Sequence, residues 1–223
     1  MGRSYPRFKS AYSHEELVEH FLLTPAELNL LLGCRSEASR CGMALLLKTL
    51  PYLGYVPERL DRIPREVRAF VANQLGCLWD ASAEYPWDSS TVDYHLAQVR
   101  QYSGWRFATG PDKAAIETWL RQMAAYEAHS TEALFASACA RFRALRIELP
   151  AEGELQRLVD SALHGFFQDI HQTLAEAIPS DVRSRIDHLL IVPAGRSVSP
   201  FEDHAPGRLD CHERPCSPAR VRG

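Results

Sequence analysis

The opening stretch of this chain writes one instruction twice: a hydroxyl, two residues, a glutamate, then apolar residues at helical spacing. Ser13 is answered by Glu16 ahead of "LVEHF", and Thr24, with Pro25 at the first helical position, by Glu27 ahead of "LNLLL". In such a capping box the hydroxyl accepts the N3 amide while the glutamate reaches back to the cap amide. Gly33, Gly76 and Gly104 supply stops, because glycine enters the left-handed conformation that closes a helix without steric cost. A chain punctuated this closely has room for short helices and little else.

The rest of the sequence keeps the pattern. A helix is expected from about Ser36 to Leu50, with Ser39, Met43, Leu46, Leu47 and Leu50 on its buried stripe and Glu37, Cys41, Ala44 and Lys48 opposite. Pro51, Gly54 and Pro57 should break the chain. Pro64 opens "PREVRAFVANQLG", where Val67, Phe70, Val71 and Leu75 form a core stripe. A short helix around Trp79–Tyr85 follows. Ser89 or Ser90 then caps a helix whose Val92, Leu96 and Val99 face inward. Further helices are expected from Pro111 to about Tyr126, Thr131 to Leu145, Gly153 to Ile178 and Ser180 to Leu190, with "RIELP", Arg146 to Pro150, as an extended link. Nothing alternates with period two for long enough to make a strand.

The expected fold is all-α. Two consecutive helix-turn-helix-like modules (1–76 and 77–150) precede a helical hairpin at 151–192. The tail, 193–223, holds five Pro, three Gly and five Arg without a periodic apolar face, and is expected to be disordered. No run of about 18 apolar residues is present to span a bilayer, so no membrane partner is expected. The basic start "MGRSYPRFKSAYS" leads into no apolar h-region, so a cytoplasmic location is expected. No exposed apolar stripe or heptad suggests a dimer.

Little in the sequence suggests catalysis. P-loop, G-x-G-x-x-G, G-x-S-x-G and H-E-x-x-H motifs are missing, and the six cysteines lack C-x-x-C spacing. Asp160 and His164 are spaced i, i+4 with Asp169 and His171 a turn or two later, and "CHERPC" (Cys211–Cys216) has some metal-ligand character. Neither has the second motif a metal site needs, so no metal, cofactor or catalytic residue is expected. The net charge of −3 argues against a nucleic-acid binder until its distribution is considered. Residues 1–12 hold Arg3, Arg7 and Lys9 without an acid, and residues 35–76 hold seven Lys/Arg against four Asp/Glu. Local basic surface matters more to phosphate contact than the total. Helix pairs of this kind are common, so on the residues alone a non-catalytic helical interaction or scaffold domain stays open beside DNA binding.

Longer stretches carry a resemblance. "FLLTPAELNLLLGCRSEASRCGMALLLKTLPYLGYVP", "IPREVRAFVANQLG", "YHLAQVRQYSGWRFA", "RIELP" and "VPAGRSVSPFED" are similar, in this order, to the N-terminal region of the transposases of the large replicative (class II, TnA-type) bacterial transposons. The resemblance implies recognition of transposon terminal inverted repeats in double-stranded DNA, with the catalytic Asp-Asp-Glu triad far downstream in a longer polypeptide. No carboxylate of this chain maps onto that triad. After "SPFED" the sequence departs from the family, which is read as a truncation or frameshift near His204. A binding-only regulator, self-association, interaction with a full-length transposase, or an inactive remnant all fit such a chain.

Within that resemblance the expected phosphate contacts are Arg3, Arg7, Lys9, Arg35, Arg40, Lys48, Arg65 and Arg106. The expected base readers are Gln98 and Gln101, flanked by Tyr94 and Arg100. Gln can bond adenine and Arg guanine in the major groove, and the second helix of a helix-turn-helix unit is the one that enters it.

Overall fold

The computed structural model of the chain describes residues 5–77, 84–126, 130–192, 194 and 199. Among these, nine helices follow in chain order: α1 (His14–Phe21), α2 (Pro25–Leu31), α3 (Glu37–Leu53), α4 (Arg65–Gln74), α5 (Ser90–Ser103), α6 (Gly110–Met123), α7 (Thr131–Ala144), α8 (Glu152–Ala177) and α9 (Ser180–Leu190). The one extended pairing among the described residues is a parallel bridge between Arg106 and Ile147. The fold is all-α. Arg3, most of the helix expected at Trp79–Tyr85 and nearly all of the tail fall outside the described residues.

Both expected capping boxes are formed. Ser13 Oγ accepts the Glu16 amide at 3.3 Å, and the Glu16 carboxylate accepts the Ser13 amide at 3.0 Å. Thr24 and Glu27 repeat this at 3.3 and 2.6 Å. A third box, unforeseen, starts α6: Thr109 and Asp112 cap each other.

The chain divides into two compact units, Met1–Gln168 and Asp169–Gly223. The first contains two hydrophobic cores. In one, α3 is the axis, and α1, α2, α4 and α5 pack against it. The amphipathic reading of α3 is corrected here. Cys41 and Ala44 are as buried as Met43 and Leu46, because neighbouring helices cover α3 from several directions. Pro51 also fails to break the helix. It lies in the last turn, where its missing N–H removes one hydrogen bond, and α3 continues to Leu53. Gly54, at φ +84°, makes the stop and donates to Leu50 O at 2.8 Å.

The second core joins Tyr5 to α6, α7 and the first turns of α8 through Leu120, Phe135, Phe142, Leu155 and Val159. The backbone from Arg146 to Pro150 ties the cores together. The Leu149 amide donates to Gly54 O at 2.8 Å, and Tyr5 Oη donates to Pro150 O at 3.0 Å. Residue 76 lies within the span of the first core and residue 150 within that of the second.

In the second unit α9 leaves Val182, Ile186, Leu189 and Leu190 exposed. Their i, i+4, i+7, i+8 spacing makes an apolar stripe, a feature the sequence was not expected to show.

Candidate nucleic-acid interface

Helix α5 starts at Ser89, whose Oγ accepts the Thr91 amide at 3.2 Å, and ends at Gly104, at φ +73°. Val92, His95, Leu96 and Val99 turn inward. Tyr94, Gln101 and Tyr102 are exposed, and Gln98 is half-buried. Gln98 Nε2 donates to Tyr94 Oη at 2.9 Å, so two of the expected reading residues already form one unit.

What orients this helix is Tyr85. Its ring lies so close to Gly42 of α3 that a Cβ there would sit 2.3 Å from two ring carbons. Its hydroxyl and His95 Nδ1 are 2.7 Å apart in the core. Burial pushes the Tyr85 phenol up, with the Cys34 thiol adding to the shift, and pushes the His95 imidazole down. One tyrosine therefore touches both Gly42 of α3 and His95 on the inner face of α5, and Cys34 belongs to the turn between α2 and α3. The turn carries Arg35, which is exposed. Ser36 caps α3, accepting the Ser39 amide at 3.1 Å. Arg40, one turn later, is half-buried, and its Nε has no hydrogen-bond partner.

The other expected cations are placed differently. Lys48 reaches both oxygens of Glu27 at 2.6 and 2.8 Å, with each side chain only 11% exposed. Arg100 donates to both oxygens of Glu148 at 2.5 and 3.2 Å in a partly buried pair, and its guanidinium lies 3.8 Å from the Phe107 ring centroid. Arg106 grips Asp112 at 2.5 and 2.7 Å on the surface. That guanidinium and Thr109 hold the Asp112 carboxyl well below the usual range. Arg7 pairs with Glu152 at 3.2 Å, and Lys9 with Glu16. Arg65 is exposed at the first position of α4. Lys48 and Arg100 therefore serve the fold, while Arg35 and Arg40 lie at and just after the α2–α3 turn. Glu27 could have been noticed as an acid already committed to a cap. Glu148 gives no such signal, because its partner is 48 residues away.

Among the described residues no three His, Cys, Asp or Glu side chains form a metal-binding group. No helix among them is long and apolar enough to cross a membrane.

The family described as "Domain of unknown function (DUF4158)" matches residues 2–162, a span that takes in the first core and all buried residues of the second except Leu163. The chain belongs to the DUF4158 family. It is also 25% identical over 187 residues to the transposase for transposon Tn501 of Pseudomonas aeruginosa, covering 84% of this chain and 19% of that protein. It is 25% identical to the transposase for transposon gamma-delta of Escherichia coli K12 (90% and 20%), and 23% to the transposase for transposon Tn1546 of Enterococcus faecium (77% and 17%). The resemblance to transposases read from the sequence is borne out. This DUF4158 chain spans about one fifth of the length of the curated relatives it matches.

Proposed function

We propose that the chain is a DNA-binding part of a transposase and recognises transposon terminal inverted repeats in double-stranded DNA without itself performing strand transfer. The supporting observation is the outer face of α5, where Tyr94, Gln98 and Gln101 lie on a helix that packs against α3 through Tyr85 and His95. In this reading Gln98 and Gln101 contact base edges, with Tyr94 flanking. Arg35, Arg40 and Arg65 contact phosphates, with Arg3, Arg7, Lys9 and Arg106 at the periphery. Base contacts specify and phosphate contacts position, so the two groups should behave differently when removed. No residue of this chain is assigned to strand-transfer chemistry.

The test is a fluorescence-anisotropy titration against a duplex carrying a transposon terminal inverted repeat and against a scrambled duplex of equal length. Tighter binding to the repeat supports the reading, and equal affinity for both duplexes refutes it. Arg35→Ala should weaken binding to both duplexes and reduce the salt slope by about one. Gln98→Ala should narrow the gap between them.

A further inference from the structure

Helix α9, in the second unit, carries an apolar stripe that the rest of the unit leaves uncovered. None of its 11 residues is buried. Val182, Ile186, Leu189 and Leu190, which form the stripe, are between 37% and 56% exposed, and Ile191 and Val192 follow them with exposed side chains. A helix this short is marginal in water by itself, because nucleation is costly and most helical stability comes from packing an apolar face. Local support for α9 is slight. Pro179 gives it no side-chain cap, and Arg183 donates to Ala175 O on the last turn of α8. Single exposed apolar residues are ordinary, but a continuous stripe marks a contact surface.

The charges beside the stripe point to what covers it. "DVRSRID", Asp181 to Asp187, has the same charge order from either end: acid, base, base, acid, with Val182 and Ile186 placed symmetrically about Ser184. At about 100° per residue, Arg183 and Asp187 flank the stripe on one side, and Asp181 and Arg185 on the other. A two-fold axis perpendicular to two antiparallel copies makes each flank face its own counterpart. Centred on Ser184, such a pair sets Val182 against Ile186 of the other copy. With a rise of about 1.5 Å per residue, each arginine then lies about 3 Å along the axis from the other copy's aspartate. Each flank gains two opposite-charge approaches against one like-charge approach, that of the arginine to its own counterpart. Arg183 can keep its bond to Ala175 O and still meet an aspartate, since a guanidinium has five donors. Antiparallel copies also oppose their helix dipoles.

We infer that α9 pairs antiparallel with α9 of a second copy of this chain, across the stripe of Val182, Ile186 and Leu189. An unrelated apolar surface could cover the stripe, but an identical helix presents the same charge order reversed. One helix about 16 Å long buries less than the about 1,200 Å² of stable complexes, so the pairing is weak, reversible and driven by concentration. It is independent of the DNA-binding reading, which concerns helices of the first unit.

Sedimentation equilibrium of the full chain without DNA tests it. Over about a hundredfold range of concentration the mean mass should rise from that of one chain, 25.1 kDa, toward twice that value. Ile186→Lys should stay monomeric while the melting transition of the two cores matches wild type, since Ile186 belongs to neither core. Asp187→Arg alone should weaken the pairing about tenfold, and adding Arg183→Asp should restore it. A wild-type chain that stays monomeric throughout overturns the inference and leaves the stripe to a different protein. Dimers that persist in Ile186→Lys, or a double variant that pairs no more tightly than Asp187→Arg alone, overturn it as well.

Discussion

Gly42→Ala should destabilise the protein, although the change puts the best helix former into a helix interior. On propensity alone the substitution gains about 1 kcal/mol. The geometry opposes it. The new Cβ would sit 2.3 Å from Cγ and Cδ1 of Tyr85 and 2.5 Å from Cδ2, where carbon atoms prefer roughly 3.5–4.0 Å. These atoms are at the root of the ring, so Tyr85 cannot escape by rotating its far end. The ring must move by more than an ångström. That movement separates its hydroxyl from His95 Nδ1, now 2.7 Å away in the core. Overpacking costs about 1–3 kcal/mol, and leaving a buried polar group unpaired about 1–3 more. The net loss is then roughly 1–5 kcal/mol after the propensity gain. Urea denaturation monitored by tryptophan fluorescence measures it. A double-mutant cycle with Tyr85→Ala assigns the cause, since removing the ring should make Gly42→Ala nearly neutral or favourable. The reasoning is refuted if Gly42→Ala is as stable as wild type, or if its cost is the same in the Tyr85→Ala background. Because Tyr85 also sets α5 against α3, a destabilised Gly42→Ala chain that still folds should bind the terminal repeat more weakly.

The same site gives a pH dependence. Burial lowers the His95 pKa below its ordinary 6.5, so the folded state binds this proton less readily than the unfolded chain. The associated stability is present above about pH 6.5 and is lost as the pH falls toward the folded pKa, with a slope of at most about 1.4 kcal/mol per unit. Denaturation midpoints at several pH values should show this slope in wild type and a smaller one in His95→Gln. Lys48→Ala should cost about 3 kcal/mol or more, because it leaves the Glu27 carboxylate buried without its cation. A loss under 1 kcal/mol on denaturation would show that the capping contacts of Glu27 suffice alone. Burial pushes the Cys139 thiol up to about 11 and the Cys41 thiol up to about 12. Both should therefore resist iodoacetamide at neutral pH until the protein unfolds, as peptide mapping by mass spectrometry would report.

Local chemistry made the helix starts readable. Ser13 and Thr24 cap as their spacing implies, and of the Ser89/Ser90 pair it is Ser89 that caps. Thr109 carried the same signal in "TGPD", but the paired acid is aspartate and Pro111 drew the expected start one residue too late. The environment of α3 was less readable. Cys41 and Ala44 suit a second buried face as well as a half-covered one, and only the packing of several helices around α3 decides between them. Charge pairing was the least legible part. Lys48 and Glu27 are 21 residues apart, and Arg100 and Glu148 are 48 apart. Nothing in local spacing distinguishes an arginine that meets a carboxylate from one that waits for a phosphate. The outward face of α5 was readable because a helix with Val92, Leu96 and Val99 inside must turn Tyr94 and Gln101 outward.

This distinction makes the salt dependence of DNA binding a sharp measurement. Eight cations were expected to contact phosphate: Arg3, Arg7, Lys9, Arg35, Arg40, Lys48, Arg65 and Arg106. Four of these, Arg7, Lys9, Lys48 and Arg106, are paired with carboxylates of the chain itself. A cation that keeps its carboxylate neutralises no phosphate and releases no counterion. Each phosphate neutralised on duplex DNA contributes about −0.9 to the slope of log K against log salt. All eight together would give roughly −7, and if the four pairs persist on DNA the slope should fall short of that by roughly 3.6. A slope near −7 would mean that DNA opens the surface pairs and the buried Lys48–Glu27 contact, which would refute the division of these cations into structural and DNA-facing sets. An intermediate slope that falls by about one in Arg106→Ala would place the break at the Arg106–Asp112 clamp. Opening that exposed clamp would also release the carbonyl of Phe107 from Arg106.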